Sequence, residues 1–419
     1  YSLGANRVTF YQSAGECRDP GDLDRGWDDY LLIYANGIAS AFPLGGQNGF
    51  DSDSLIVDAL SYTFDRIYPV GQLQVNRTVT AATRAMVGAT YGRTNSRNVR
   101  ALGNEVCYVL SRDTTGDTPY LFTTFDGGLT WSNNNLTGAG GDAWDGEPVT
   151  DVEATGKYVI ITSEDGYYLC PIDARTGVAD VDFITRVTQG WAGGYYPSSV
   201  FALATDSVLF TSQDKRIYRA TRLEGGVQKV YDGAASTKDL LRVHGHKQTA
   251  VAVGNNGAIV YSTDKGQAWQ DAPFANSAPA GTLRGVHVLS PYVWWICGDN
   301  GGTAFLVYTV NGGASWAGAA LDIPAGVTLE SGLDVRFVND EVGYFLAKDT
   351  DDNTLIFATM NGGYTWTPSA NRIRDALEDA IATRIAVPEG VAAEVAANSA
   401  VVVGTESTTG YIWSLQAAV

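Results

Sequence analysis

The chain has 419 residues and a net charge of −18, with 48 glycines, 22 tyrosines, 10 tryptophans and 45% hydrophobic residues. That acidity argues against a nucleic-acid partner, since such binding rests on basic side chains that neutralise phosphates, and no apolar run reaches the length of a membrane-spanning helix. The glycine and aromatic content suits many short strands joined by tight turns.

Residues 1–97 carry the apolar runs VTFYQ, YLLIYANGIASAF, SLIVDALSYTFDRIY and TVTAATRAMVG, separated by polar loops. They predict a small mainly β or α+β module, or an arm that docks elsewhere. From residue 98 to 419 a different pattern rules. An eight-residue turn comes back four times, as TFDGGLTW, STDKGQAW, TVNGGASW and TMNGGYTW. Its members are Thr124, Asp126, Gly128 and Trp131; Ser262, Asp264, Gly266 and Trp269; Thr309, Asn311, Gly313 and Trp316; and Thr359, Asn361, Gly363 and Trp366. Ser/Thr and Asp/Asn side chains bond their own backbone a few residues on, glycine takes positive φ, and the Trp folds back as an apolar plug. The expected role of all sixteen is structural, with each Trp largely buried over its own turn.

Trp131 and Trp269 are 138 residues apart, three periods of about 46, and the next intervals are 47 and 50. A fixed period of this size means a repeat architecture. Two degenerate turns fall in register near Asp173 and Leu223. Each unit reads as three β-runs, the turn, and a fourth run beginning near the Trp, as in LLRVHG, TAVAVG and AIVYSTD. The innermost runs start near Val99, Val152, Val200, Val243, Val286, Val335 and Ile385. Seven such units predict an all-β, seven-bladed β-propeller of four-stranded blades with an additional N-terminal module, since radial repetition leaves only short protected edges.

The seventh unit runs out after YIWSLQ, so its outer strand has to come from elsewhere, because an open edge invites aggregation. The favoured donor is Thr78–Val87 and the second choice Asn6–Ser13. Between units six and seven, Asn371–Arg384 places Ile373, Leu377 and Ile381 at helical spacing and predicts a short amphipathic helix.

The recurring unit, best represented by VAVGNNGAIVYSTDKGQAW within Leu241–Trp269, resembles the Asp-box (BNR-type) propellers, and among them the photosystem II assembly-factor-like branch. The resemblance covers about 98–419. It departs from the pattern at Asn311 and Asn361, at Lys265, and in blades two, three and seven, which lack the Trp clasp. It implies the propeller fold and leaves function open, because enzymes, adhesins, assembly factors and virion proteins share the turn.

The chemistry-bearing residues form no catalytic or metal constellation. Of the three histidines, His244 and His287 share one register on neighbouring innermost strands, where Arg100, Glu153, Phe201, Arg336 and Ala386 stand in other blades. Arg100, Glu153, His244, His287 and Arg336 are therefore candidate channel or recognition residues, and the histidines channel or packing residues rather than ligands. Asp349 to Asn353 imitates the start of a calcium loop, but Thr354 stands where glycine is needed and Met360 where the bidentate Glu should be. A sialidase-like reading has candidate arginines in Arg100, Arg242, Arg284, Arg336 and Arg384, but no motif-supported acid–base pair. Cys107, Cys170 and Cys297 fall in different blades as reduced thiols, and Cys17 has no evident partner. The expected protein is a non-catalytic structural or protein-docking component of a large assembly, such as a phage virion or tail surface or an assembly factor. It would have no cofactor, its partners would be other protein subunits and possibly glycans, and its place a virion or an extracellular surface. The alternative is a carbohydrate-binding or sialidase-like glycoside hydrolase.

Overall fold

A computed structural model describes residues 8–11, 30–35, 38–43, 83–86, 98–102, 106–112, 119–125, 131–136, 149–164, 166–173, 178–191, 197–204, 206–212, 215–233, 238–272, 280–368, 381–387, 400–406 and 409–415. The chain divides into two compact units, Tyr1–Arg77 and Thr78–Ala418. In the first, β1 (Val8–Tyr11), β2 (Tyr30–Ala35) and β3 (Ile38–Pro43) form an antiparallel sheet in chain order.

The second unit is a seven-bladed β-propeller. It opens with β4 (Thr83–Met86). Blade one is β5 (Asn98–Leu102), β6 (Val106–Arg112), β7 (Pro119–Thr124) and β8 (Ser132–Asn135). Blade two is β9 (Val149–Ala154), β10 (Tyr158–Ser163), β11 (Gly166–Pro171) and β12 (Thr185–Val187), and blade three is β13 (Pro197–Ala204), β14 (Ser207–Ser212), β15 (Arg216–Ala220) and β16 (Gln228–Asp232). Blade four is β17 (Leu240–His246), β18 (Thr249–Gly254), β19 (Ile259–Ser262) and β20 (Gln270–Asp271), and blade five is β21 (Thr282–Val288), β22 (Trp294–Asp299), β23 (Ala304–Thr309) and β24 (Ala317–Gly318). Blade six is β25 (Leu329–Phe337), β26 (Gly343–Asp349), β27 (Thr354–Thr359) and β28 (Thr367–Pro368). Blade seven is β29 (Ile381–Ala386), β30 (Ala400–Glu406) and β31 (Thr409–Leu415), with β4 as its outer strand, paired antiparallel from Tyr411↔Met86 to Ser414↔Thr83.

The blades stand radially because both faces of each sheet are apolar. In β18 every residue is buried, yet alternate side chains go opposite ways: Ala250 and Ala252 enter the seam with blade three, Val251 and Val253 the seam with blade five. β22 does the same with Trp294 and Ile296 on one side and Trp295 and Cys297 on the other. This is the period-two alternation of any strand, applied where neither face meets water. Seven apolar clusters fill seven seams, and Val403 of blade seven packing with Cys107, Val109, Tyr120 and Phe122 of blade one closes the circle. The innermost strands β5, β9, β13, β17, β21, β25 and β29 each contact the next, and β29 contacts β5.

One expectation is corrected. Residues 381–384, placed at the end of an amphipathic helix, belong to β29, where Ile385 pairs with Val402 and Ala382 is fully buried; the rest of that stretch lies outside the described residues. In the strand, Ala382 and Ile385 enter the blade six–seven cluster, burying surface that a three-turn exposed helix could not. Among the described residues the only helical pieces are the short 3-10 turns Val181–Phe183, Leu223–Gly225 and Asn255–Gly257, and no helix is long and apolar enough to cross a membrane.

Candidate binding site at the axial mouth

The repeated turns follow the third strands of blades one, four, five and six, and three of them are described in full. In blade four, Ser262 Oγ donates to Asp264 Oδ1 at 2.8 Å and accepts from Gly266 N–H at 2.9 Å, while the Asp264 carboxylate accepts from Gln267 and Ala268 N–H, each at 2.9 Å. Burial, the largest single influence, pushes the Asp264 carboxyl up, but these bonds to the ionised form together outweigh it and hold it below its ordinary value. In blades five and six the carboxamides of Asn311 and Asn361 take over: Oδ1 accepts from Ser315 N–H (2.8 Å) and Thr365 N–H (3.1 Å), and Nδ2 donates to Ser315 Oγ (2.8 Å) and Thr365 Oγ1 (2.9 Å). The tryptophans reach further than their own turns. Trp269, Trp316 and Trp366 join the clusters between their blade and the preceding one, at 9%, 9% and 0% exposure. Trp131 is half-buried against the seam between blades seven and one. Thr124 is buried, and Asp126 and Gly128 lie outside the described residues.

Around the axis, side chains on one inner strand accept from the backbone of the next. Glu153 Oε2 accepts from Ala202 N–H (3.3 Å), His244 Nδ1 from Val288 N–H (3.0 Å) and His287 Nδ1 from Phe337 N–H (3.4 Å). These three residues are buried in the seams. Two positions earlier, Asp151 spans Val152 and Val200 N–H, and Asp334 spans Val335 and Ile385 N–H. Burial pushes both aspartate carboxyls up from their ordinary value, with Arg242 opposing it at both sites. Arg336 is half-buried, its Nε 3.8 Å from Asp334 Oδ2 and its Nη1 donating to Val286 O. The side chain of Arg100 lies outside the described residues.

At the N-terminal ends of the inner strands the axis opens into a cavity of about 460 Å³ lined by Thr150, Ser198, Arg242, Arg284, Thr383 and Arg384, with Leu241, Leu333 and Ala382 between them. Arg242 and Arg384 occupy the same register and are anchored alike: Nη1 of each donates to the preceding residue's carbonyl at 2.7 Å and to a carbonyl of the previous blade, Ser198 O at 3.4 Å and Leu333 O at 3.2 Å. The Nε atoms of both are buried without a hydrogen-bond partner. Arg284 Nε pairs with Asp299 Oδ2 at 2.7 Å, and Ser331 Oγ donates to the same oxygen. A second cavity of about 280 Å³ adjoins through Arg284 and Leu333 and is walled by Lys348 and Glu330, themselves paired at 2.7 Å. In a chain of net charge −18, three guanidinium groups line one opening, with Arg284 paired to Asp299 and Arg242 near Asp151 and Asp334.

Of the residues the sequence singled out, Arg242, Arg284 and Arg384, three of the candidate arginines, line the cavity, while Glu153, His244 and His287 of the channel candidates are buried. The signal of the three arginines was their register, two residues before the channel position for Arg242 and Arg384 and three for Arg284. The Asp349 carboxylate is committed to its own turn, accepting from Asp351 N–H, Asn353 N–H and Asn353 Nδ2. No group of three or more His, Cys, Asp or Glu that could hold a metal occurs among the described residues, and the three described cysteines are buried thiols outside any disulfide.

No family model matches the chain, and no curated protein matches it. Solved structures do. The fold is that of YCF48. A structure described as YCF48 bound to D1 peptide superposes with a TM-score of 0.55 at 12% identity, over 80% of this chain and 97% of that one. YCF48 from Cyanidioschyzon merolae gives 0.55 and 12%, over 80% and 98%.

Proposed function

We propose that this protein is a non-catalytic propeller, a rigid disc that docks a protein partner within a larger assembly, and that the axial mouth is where the partner seats. One observation carries the reading: Arg242, Arg284 and Arg384 converge on a cavity at the centre of a strongly acidic molecule. Guanidinium groups favour carboxylates through charge-assisted, often bidentate hydrogen bonds. The ligand chemistry that fits is an acidic segment of a protein, and the YCF48 structure with a bound D1 peptide is a propeller of like fold holding a peptide. In this reading the repeated turns are Asp-boxes, the disc belongs with the assembly-factor type, and residues 1–77 form a separate attachment module. A place on a virion or another particle surface is equally open to such a disc.

The test is a binding titration of the full chain against short acidic peptides and their amidated, uncharged counterparts. Binding should be selective for the acidic set, weaken with ionic strength, and fall by roughly tenfold or more in Arg284→Glu, as expected when like charge meets like in an interface. Equal binding of both sets would refute it. The arginine cluster also suits a carboxylated sugar, and the carbohydrate or sialidase-like reading predicts instead binding of acidic glycans, or turnover of a fluorogenic glycoside panel.

A further inference from the structure

Two buried histidines stand out because nothing in the docking reading uses them. His244 and His287 are 1% and 3% exposed, and their rings lie 4.2 Å apart, centroid to centroid. Phe201 flanks the pair at 4.5 Å from His244, and Phe337 at 5.6 Å from His287. Each Nδ1 accepts a backbone N–H from the next inner strand, Val288 in blade five and Phe337 in blade six. Such a bond exists only while Nδ1 carries no proton, which fixes the neutral ring with its hydrogen on Nε2.

We infer that His244 and His287 form an acid-sensitive latch that holds the inner strands of blades four, five and six together when neutral and releases them when protonated. A proton on Nδ1 sets a donor against a donor. It leaves a buried backbone N–H unsatisfied at each seam, and it places two cations side by side in an apolar stack, where each disfavours the other. Blade two has the contrasting device at the same register, where the Glu153 carboxylate rather than an imidazole accepts from Ala202 N–H. Charged groups on the packed strands are Arg242 on β17, Arg284 on β21, Asp299 on β22, Glu330, Asp334 and Arg336 on β25, and Glu153 beyond β13; His246 and Cys297 are the other titratable neighbours. The cationic side chains add to the cost of protonating the pair.

The acid window is separable from carboxyl titration. Asp151 and Asp334 have raised pKa values from burial, so their contribution is fully present in acid and lost as the pH rises, the opposite sign. Glu224, held at about 2 by hydrogen bonds from Lys157 and Tyr158, and Asp264 lose theirs only as the pH falls below the ordinary carboxylate values. Between about pH 6.5 and 5 the histidine contribution is therefore read as the difference between the wild type and a variant lacking both rings, in which the aspartates act alike.

The experiment follows urea unfolding of the full chain across that window, beside His244→Asn/His287→Asn, whose amide oxygen keeps an acceptor near the Nδ1 position without titrating. On acidification the wild type should lose stability relative to the double variant, the ratio of their unfolding constants rising by up to about tenfold per pH unit for each proton taken up, about a hundredfold for the pair. A folded variant with the wild-type profile overturns the inference. Should the variant not fold, nitrogen-15 spectra of the wild-type histidines decide: the chain has only three, and two must remain neutral Nε2–H tautomers while the protein is folded. A folded protein at pH 5 with all three protonated also overturns it.

Discussion

Asn311 and Asn361 stand where blade four has Asp264, and each turn compensates four residues on. A carboxamide has a donor to place, so Ser315 and Thr365 are there to accept it, whereas the Asp264 turn has Ala268, whose N–H alone meets the carboxylate. Glycine is needed at positive φ for two separable reasons, seen at Gly363 in the blade-six turn and at Gly301 in the β22–β23 connection. Gly363 has φ +88 and a Cβ there would lie 2.2 Å from the Trp295 ring; Gly301 has φ +60 and nothing within 4 Å. Gly301→Ala should cost about 1 kcal/mol through backbone strain alone. Gly363→Ala should cost at least twice that, read from urea midpoints, since overpacking adds roughly 1–3 kcal/mol. Equal costs would show that the Trp295 contact gives way freely. The tryptophans divide in the same manner: Trp366→Ala should lose roughly 3–5 kcal/mol as a fully buried aromatic deletion, and Trp131→Ala clearly less.

At the scale of the strand, the repeat was legible because each inner strand carries a valine or isoleucine at the same place, and from Val152 to Ile385 these side chains enter the clusters between blades. Val99, Val152, Val200, Val243, Val286, Val335 and Ile385 all occupy equivalent ladder positions opposite the second strand. The helical spacing within Asn371–Arg384 misled, because Ile381 also begins a strand whose alternation is short and whose partner, β30, lies beyond a long connection. Periodicity alone does not separate a short buried strand from a helix end. The seventh blade makes a further prediction. Its outer strand is β4, so a chain beginning at Thr78 should remain monodisperse, and one beginning after Val87 should leave β31 with an open edge and self-associate. Light scattering after size exclusion distinguishes them; a monomeric, equally stable shorter chain would mean that β31 tolerates exposure.

For the whole molecule, the mouth was the part least visible in the sequence. Arg242, Arg284 and Arg384 are scattered over 142 residues and come together only because the ring closes; no local motif joins them. The channel candidates Glu153, His244 and His287 shared a register that was read correctly, yet a strand register does not tell which of two alternating directions faces the axis. In the structure those three serve the seams, and residues two or three places earlier on the inner strands, such as Thr150, Arg242 and Arg284, line the opening. The ring thus separates its tasks: paired apolar faces hold blades together, buried acceptors fix the inner strands against one another, and guanidinium groups are left at the open end.

The central claim is that the axial mouth is the docking surface, and hydrogen–deuterium exchange of the full chain with and without a bound acidic peptide tests it most directly. Protection should appear at the N-terminal ends of the inner strands, around 197–199, 240–242, 282–284 and 381–384, and be lost in Arg284→Glu. Protection confined to the opposite end of the blades, at the turns carrying Trp269, Trp316 and Trp366, would contradict the account.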